Sequence, residues 1–150
     1  MISIKKIIMP TDFSEPSLAA IKPALQLAQH FSAKIFVVHV VSPVPMIPGT
    51  TTPPAVSIPQ LLKDMQSASE NAIEKLVKER MAEAKVGYFV LQGKPADEIV
   101  NVSDKENADL IVMSTHGESG LQWLVSGSVA AKVVRLADCP VLTVKTAQSS

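Results

Sequence analysis

Five short apolar segments punctuate the chain, and each is rich in Val, Ile and Leu. They cover residues 4–9, 34–41, 87–92, 109–114 and 140–145. Most are near-continuous apolar runs rather than alternating ones, which is typical of strands that are covered on both faces. The pattern therefore predicts five strands, most of them covered on both faces.

Helical periodicity fills the spaces between these strands. The first helical pattern places four apolar residues on one face, namely Leu18, Ile21, Leu25 and Ala28. Ser14 is the expected N-cap, and Pro16 lies in the opening turn. Pro23 inside the same pattern predicts a kink or a late start of the helix, because proline cannot donate to the helical ladder.

Three further helices are predicted, over about 58–85, 95–106 and 128–136. The longest has five apolar residues at spacings of three and four: Leu61, Met65, Ala68, Ala72 and Leu76. Strands that alternate with helices imply parallel pairing through right-handed crossovers. We therefore predict a three-layer α/β sandwich with helices on both faces of an open parallel sheet.

Composition and charge narrow the range of partners. Acidic and basic residues balance at 14 each, so no global field favours nucleic acid, an anionic membrane or an acidic substrate. The single cysteine, Cys139, excludes an internal disulfide and a cysteine-only zinc site, and it favours a reducing compartment. No apolar run has the length of a signal peptide core or a membrane span. We expect one domain over 1–150, soluble and cytoplasmic, without nucleic-acid or membrane partners.

A proline-rich stretch at 42–60 interrupts the alternation of strands and helices. Six of the 11 prolines fall in it, and a connection of this length inside a compact domain is usually functional or disordered. We expect a flexible loop there, with two interpretations left open: a mobile flap beside the end of the second strand, or a disordered surface loop.

A glycine-rich segment at 114–128 connects the fourth strand to the last helix. It contains three of the six glycines of the chain, and Gly127 and Ser128 open the predicted helix. A helix start offers unpaired N–H groups and the positive end of a dipole, which suits a phosphate group. The P-loop motif and the G-x-G-x-x-G motif are both absent. Their absence weakens the interpretation of this chain as a P-loop NTPase or a nicotinamide dehydrogenase.

The stretches "IIMPTDFSEPSLAAIKPALQLA", "VVHVV", "LQGKPADEIV", "ADLIVMSTHG" and "GSVAAKVVRLADCPVLTV" resemble the universal stress protein family over almost the whole chain. The nucleotide-binding branch of that family carries G-x-x-G, nine residues, and then G-[ST]. Here nine residues separate Gly117 from Gly127, and Ser128 completes the motif. Ser114 stands where that branch usually has its first glycine.

This resemblance implies a fold and a ligand. The fold is a five-stranded sheet of order 3-2-1-4-5, as in adenine nucleotide alpha hydrolase-like proteins. The ligand is ATP, with AMP or ADP as alternatives and magnesium as an optional companion. The implied nucleotide-binding residues are Pro10, Thr11, Asp12, Val40, Met113, Ser114, His116, Gly117, Gly127, Ser128 and Val129. The resemblance also implies a homodimer formed through strand 5, at Val141, Leu142, Thr143 and Val144, which an exposed apolar edge strand favours physically.

Several of these residues have a second interpretation. Asp12 either accepts a hydrogen bond from adenine or braces the turn before the first helix. His116 either contacts phosphate or pins its loop through the backbone, and His39, near the end of a buried strand, is interpreted as structural. Ser114 weakens binding if its backbone must be left-handed, and it is harmless if it simply ends strand 4.

The same residues favour binding over catalysis. Fast phosphoryl transfer needs Lys, Arg or metal charge and a positioned nucleophile, and residues 114–128 contain no Lys or Arg. We predict no catalytic residue, no metal ligand set and at most slow ATP hydrolysis, in a dimer whose nucleotide occupancy reports stress or energy state to a downstream protein. The alternative is a nucleotide-free dimeric scaffold. An adenylating enzyme would need a Ser-Gly-Gly loop after strand 1, which "PTDFSEP" lacks.

Overall fold

All five predicted strands are present and pair in parallel as one sheet. A computed structural model describes residues 2–42, 58–115 and 129–145 of the chain. The strands are β1 (Lys6–Pro10), β2 (Lys34–Val41), β3 (Val86–Gln92), β4 (Leu110–Ser114) and β5 (Val141–Val144). Their order is β3-β2-β1-β4-β5, and all four neighbouring pairs are parallel. The predicted fold class and strand order are confirmed.

Helices cover both faces of this sheet. They are α1 (Glu15–Leu18), α2 (Ile21–Phe31), α3 (Ile58–Arg80), α4 (Pro95–Lys105) and α5 (Val129–Leu136). On one face, α2 and α3 pack on alternate strand residues such as Ile7 and Ile35. On the other face, α4 and α5 pack on the intervening residues, such as Ile8 and Phe36. Because the central strands β1, β2 and β4 bury both sets of side chains, they read as near-continuous apolar runs in the sequence, whereas the edge strands β3 and β5 contain no buried residue.

The first predicted helix is divided in two, as Pro23 indicated. Ser14 caps α1, since its side chain accepts a hydrogen bond from the backbone N–H of Ser17 at 3.2 Å. The chain then turns at Ala19, and α2 begins at Ile21. This start leaves Pro23 in the first turn, where a missing N–H costs no helical hydrogen bond.

The third helix departs from its prediction at the C-terminal end, because α3 ends at Arg80 rather than near residue 85. Ala82 and Glu83 are good helix formers, but the chain turns there and buries Met81, which is 1% exposed. The predicted apolar face is also only partly correct. Leu76 is buried with Ile73, whereas Met65 is 36% exposed.

The strand order defines one switch point at the carboxyl edge of the sheet. From β1 the chain proceeds to β2 on one side, whereas β4 lies on the other side of β1 and leads to β5. The two connections therefore separate between β1 and β4. Open parallel sheets bind ligands in the crevice at such a point. Residues 43–57, most of the predicted proline-rich loop, lie outside the described residues, and Ile58–Gln60 already belong to α3.

Candidate functional site

The register of the sheet brings three predicted site residues to one edge. Pro10 pairs with Val38 of β2, so Val40 lies two residues beyond the end of β1. On the other side, Ile8 pairs with Ile111 of β4, which places Met113 level with Pro10. Pro10, Val40 and Met113 therefore follow one another across the carboxyl ends of the three central strands.

The floor of this edge is apolar and closed to water. Val40 is 9% exposed and Met113 is 5% exposed. Both belong to the core cluster that also contains Ala130 and Val133 of α5. An apolar ring placed here would lie beside the start of α5, with the side chains of the β-strand ends beneath it.

Ser114 ends β4 in an ordinary strand conformation. It is the last residue of the strand and is 7% exposed. Its φ is not in the left-handed region, in contrast to Phe13, Ser32 and Asn107. The serine therefore carries none of the left-handed strain, about 1–2 kcal/mol, that would weaken binding.

A chain of hydroxyl hydrogen bonds holds the exit of β1 to α1. The Ser17 hydroxyl donates to the Ser14 carbonyl at 2.9 Å, so the Thr11 hydroxyl is the donor in its 2.8 Å contact with Ser17 Oγ. The Thr11 oxygen in turn accepts the Phe13 N–H at 3.0 Å. Thr11 and Ser17 are both buried. These bonds connect the turn after β1 to the first turn of α1.

Asp12 braces the same turn. Its Oδ1 accepts hydrogen bonds from the backbone N–H of Ser14, at 3.0 Å, and from the Ser14 hydroxyl. Such a contact with the residue two positions on is typical of Asp in turns. Asp12 as a whole is exposed, at the edge of the crevice. The structure thus supports the turn-bracing interpretation, and the contact with adenine stays a prediction.

His39 joins β2 to the exit of β1. Its Nδ1 lies 2.9 Å from the Thr11 carbonyl oxygen, and its ring lies 4.5 Å from the ring of Phe13, centroid to centroid. Phe13 has a φ of 66°, which is uncommon for a bulky residue. Sequence reasoning missed Phe13 and Ser17 as members of this edge. Positive φ at a non-glycine residue leaves no signal in the sequence, whereas the spacing Ser14-x-x-Ser17 is compatible with the observed cap.

Of the predicted site residues between His116 and Val129, only Val129 lies among the described residues. Val129 opens α5 and is 37% exposed. His116, Gly117, Gly127 and Ser128 lie outside the described residues. Lys132 of α5 forms a 3.1 Å ion pair with Asp97 of α4, so this cation is directed toward the neighbouring helix. Within the described ranges, no cluster of three or more His, Cys, Asp or Glu side chains could hold a metal ion.

Comparison with known proteins identifies the family. A family model described as "Universal stress protein family" matches residues 3–145. The chain belongs to the universal stress protein family. It is 39% identical over 141 residues to Universal stress protein MJ0531 of Methanocaldococcus jannaschii, an alignment that covers 94% of this chain and 82% of that protein.

Solved structures agree with this assignment. Protein MJ0577, whose structure was the basis for assigning its biochemical function, is similar with a TM-score of 0.79 at 27% identity, over 97% of this chain and 99% of that one. A universal stress protein in complex with cAMP is similar with a TM-score of 0.71 at 24% identity, over 95% and 98% of the two chains. At that identity the second likeness shows the fold alone. In the part of this chain that the structure describes, no helix is long and apolar enough to span a membrane.

Proposed function

We propose that this universal stress protein binds an adenine nucleotide in the crevice between β1 and β4. ATP is the leading ligand, with AMP and ADP as alternatives, and occupancy of the site acts as a switch that reports energy or stress state to another protein. The observation that carries the proposal is the set of strand ends at the switch point. There, the buried Val40 and Met113 lie on either side of the end of β1 and the turn at Thr11 and Asp12 that follows it.

The backbone of Val40 suits the edge of an adenine ring. Alternate residues of a parallel strand direct their N–H and C=O groups to opposite neighbours. The Val38 carbonyl accepts from Thr11 on the β1 side, and the Val41 carbonyl accepts from Gly93 on the β3 side. Val40 therefore directs its N–H and C=O to the β1 side, past the last paired residue of β1. A donor beside an acceptor complements the ring nitrogen and amino group of adenine.

The start of α5 suits the phosphates. Val129 begins the helix, and the motif residues Gly127 and Ser128 immediately precede it in the sequence. Backbone N–H groups at a helix start and the helix dipole both favour an anion. Magnesium is an optional companion of the phosphates rather than part of a protein-built metal site.

The proposed site lacks the charge that rapid hydrolysis needs. No Lys or Arg occurs in 114–128, and Lys132, the first cation of α5, is paired with Asp97. Phosphoryl transfer depends on such charges near the reacting phosphate. Hydrolysis in this protein is therefore slow at most, and binding itself is the proposed activity. The cAMP complex of a similar protein supports an adenine nucleotide on this fold.

Calorimetric titration with ATP, with and without magnesium, tests the proposal. We expect saturable binding to the native protein and at least a tenfold loss of affinity in Gly127→Val, because a side chain at the helix start blocks the approach of phosphate to bare amides. Gly120→Val is the matched control, since Gly120 lies in the same segment at one of the nine positions where the motif specifies no residue.

Two results would contradict the nucleotide switch. An absence of binding heat and of any thermal shift with millimolar ATP, ADP or AMP would leave the nucleotide-free dimeric scaffold as the function. Equal affinity in Gly127→Val and Gly120→Val would show that the phosphates do not lie at the start of α5. The cytoplasmic location and the homodimer expected from the sequence stay predictions.

A further inference from the structure

We infer that His39 is a positioning residue of the adenine site. Its ring forms a hydrogen bond with the Thr11 carbonyl, which would otherwise accept from the Val40 N–H. The inference rests on the proposed nucleotide function and goes beyond it, because it assigns adenine selectivity to a side chain that need not touch the ligand. The geometry at the end of the β1–β2 ladder carries it.

The ladder between β1 and β2 has a regular continuation that the chain does not use. Lys34 N–H donates to the Lys5 carbonyl, and at the other end Thr11 N–H donates to the Val38 carbonyl. In a parallel pair the next bond would run from Val40 N–H to the Thr11 carbonyl. In the described structure that carbonyl receives Nδ1 of His39 at 2.9 Å instead.

The bond defines which ring nitrogen of His39 carries a proton. A carbonyl oxygen only accepts, so Nδ1 of His39 must be protonated. The bond is therefore made by the Nδ1–H form of the neutral ring or by the doubly protonated ring. The neutral form that carries its proton on Nε2 alone cannot make it.

Phe13 supports the same arrangement from the other side. Its ring packs on the His39 ring with centroids 4.5 Å apart and an interplanar angle of 38°. Its φ of 66° directs the chain away from the β1–β2 pair directly after Asp12. His39 is half-buried, so the contact with Phe13 and the bond to Thr11 together restrict its ring. The turn leaves the ladder at Thr11, and the Val40 backbone remains at the wall of the crevice.

The consequence for ligand choice is specific. Adenine presents an amino donor to the Val40 carbonyl, whereas hypoxanthine presents a carbonyl oxygen at the same position. Beside it, the Val40 N–H suits the N1 acceptor of adenine and opposes the N1–H of hypoxanthine, but only while the β1–β2 ladder does not use that N–H. Without His39, the Thr11 carbonyl becomes available to the Val40 N–H, and the ladder can extend by one bond.

Titration of the native protein and two variants with ATP and with inosine triphosphate tests the inference. His39→Asn is the matched control, because the Asn side-chain amide can place a donor near the position of Nδ1. His39→Leu removes the donor and keeps an apolar body against Phe13. We expect the native protein and His39→Asn to prefer ATP by at least tenfold, and the preference to fall below about threefold in His39→Leu. A role in stability alone would lower melting temperature and leave the ratio unchanged.

The outcomes separate this inference from the proposed function. A native protein that binds neither nucleotide refutes the adenine site, and the role of His39 falls with it. A native protein that prefers ATP, together with an unchanged preference in His39→Leu, refutes the inference alone. ¹⁵N spectra of the native imidazole give a readout that needs no ligand and does not depend on variant folding. The Nδ1–H form supports the bond to Thr11, and the neutral Nε2–H form overturns it.

Discussion

A buried pair of hydroxyls, on Thr11 and Ser17, ties the exit of β1 to α1. Replacing Ser17 with Ala leaves the Thr11 hydroxyl without its 2.8 Å acceptor in a buried position, where Thr11 is 6% exposed. A buried donor without a partner costs about 1–3 kcal/mol. We expect Ser17→Ala to lower the free energy of unfolding by that amount, measured by urea denaturation.

Ser67 provides the control for this substitution. It is exposed on α3, and alanine has the higher helix propensity at such a position. Ser67→Ala should therefore leave the free energy of unfolding within about 0.5 kcal/mol of the native value. Equal effects of the two substitutions would mean that the hydroxyl chain does not stabilise the turn.

At the residue scale, the sequence identified which side chains gather at the sheet edge but not which contacts they make. Thr11, Asp12, Val40, Met113 and Ser114 were implied by the family resemblance, and the structure places them at the carboxyl ends of the three central strands. The role of Asp12 depends on where its carboxylate points, and in the structure the carboxylate accepts a hydrogen bond from the backbone N–H of Ser14, two residues later. The role of His39 depends on the neighbouring strand, which no local pattern reveals.

At the scale of elements, α5 is held by one buried valine beside an exposed one. Val133 is 0% exposed and Val134 is 52% exposed. Removing two methyl groups from a packed core costs their transfer free energy plus a cavity term, in total about 2–3 kcal/mol. We expect Val133→Ala to lower the free energy of unfolding by that amount and Val134→Ala by less than about 0.5 kcal/mol.

Chemical denaturation of the two variants under one condition makes the comparison direct, since both lose the same atoms from the same helix. Similar losses of stability would show that α5 does not pack through the Val133 face. A large loss at Val134 alone would place the opposite face of α5 against the sheet and would move the proposed phosphate end with it.

The length of α3 explains why its apolar pattern predicted too large a buried face. Gln66 contacts the Val90 carbonyl of β3 at 3.0 Å, and eight helical residues precede Gln66, a rise of about 12 Å. Only Leu91 and Gln92 follow Val90 in β3, which is about 7 Å. The first turn of α3 therefore extends past the end of the strand, and the buried residues of the helix, Ile73 and Leu76, lie in its C-terminal half.

At the scale of the whole molecule, alternating strands and helices predicted a parallel sheet but left the strand order open. Local periodicity reports which residues are buried. Strand order depends instead on the side of β1 to which each crossover leads, and a right-handed crossover can lead to either side, depending on which face of the sheet it covers. The order 3-2-1-4-5 was therefore an implication of the family resemblance. The switch point, and with it the site, depended on that order.

The two edges of the finished sheet differ in how they are covered. At the β3 edge, the Val90 carbonyl points away from β2 and accepts a hydrogen bond from Nε2 of Gln66. Nε2 of Gln92 donates to Oε1 of the same Gln66 side chain at 3.4 Å. At the β5 edge, Leu142 is 40% exposed in a strand of four residues. An exposed apolar edge strand favours pairing with another chain. The asymmetry favours a homodimer through β5 rather than β3.

Two substitutions at matched exposure test this dimer. Leu142 on β5 is 40% exposed and Tyr88 on β3 is 43% exposed. In a dimer formed through β5, a glutamate at this position would be desolvated and would lie near the same charge of the partner. We therefore expect Leu142→Glu to raise the dimer dissociation constant at least tenfold, about 1.4 kcal/mol. Tyr88→Glu should leave it within about twofold. Sedimentation velocity over a concentration series measures both. Dissociation by Tyr88→Glu alone would place the contact at β3, and a monomeric native protein would refute the dimer.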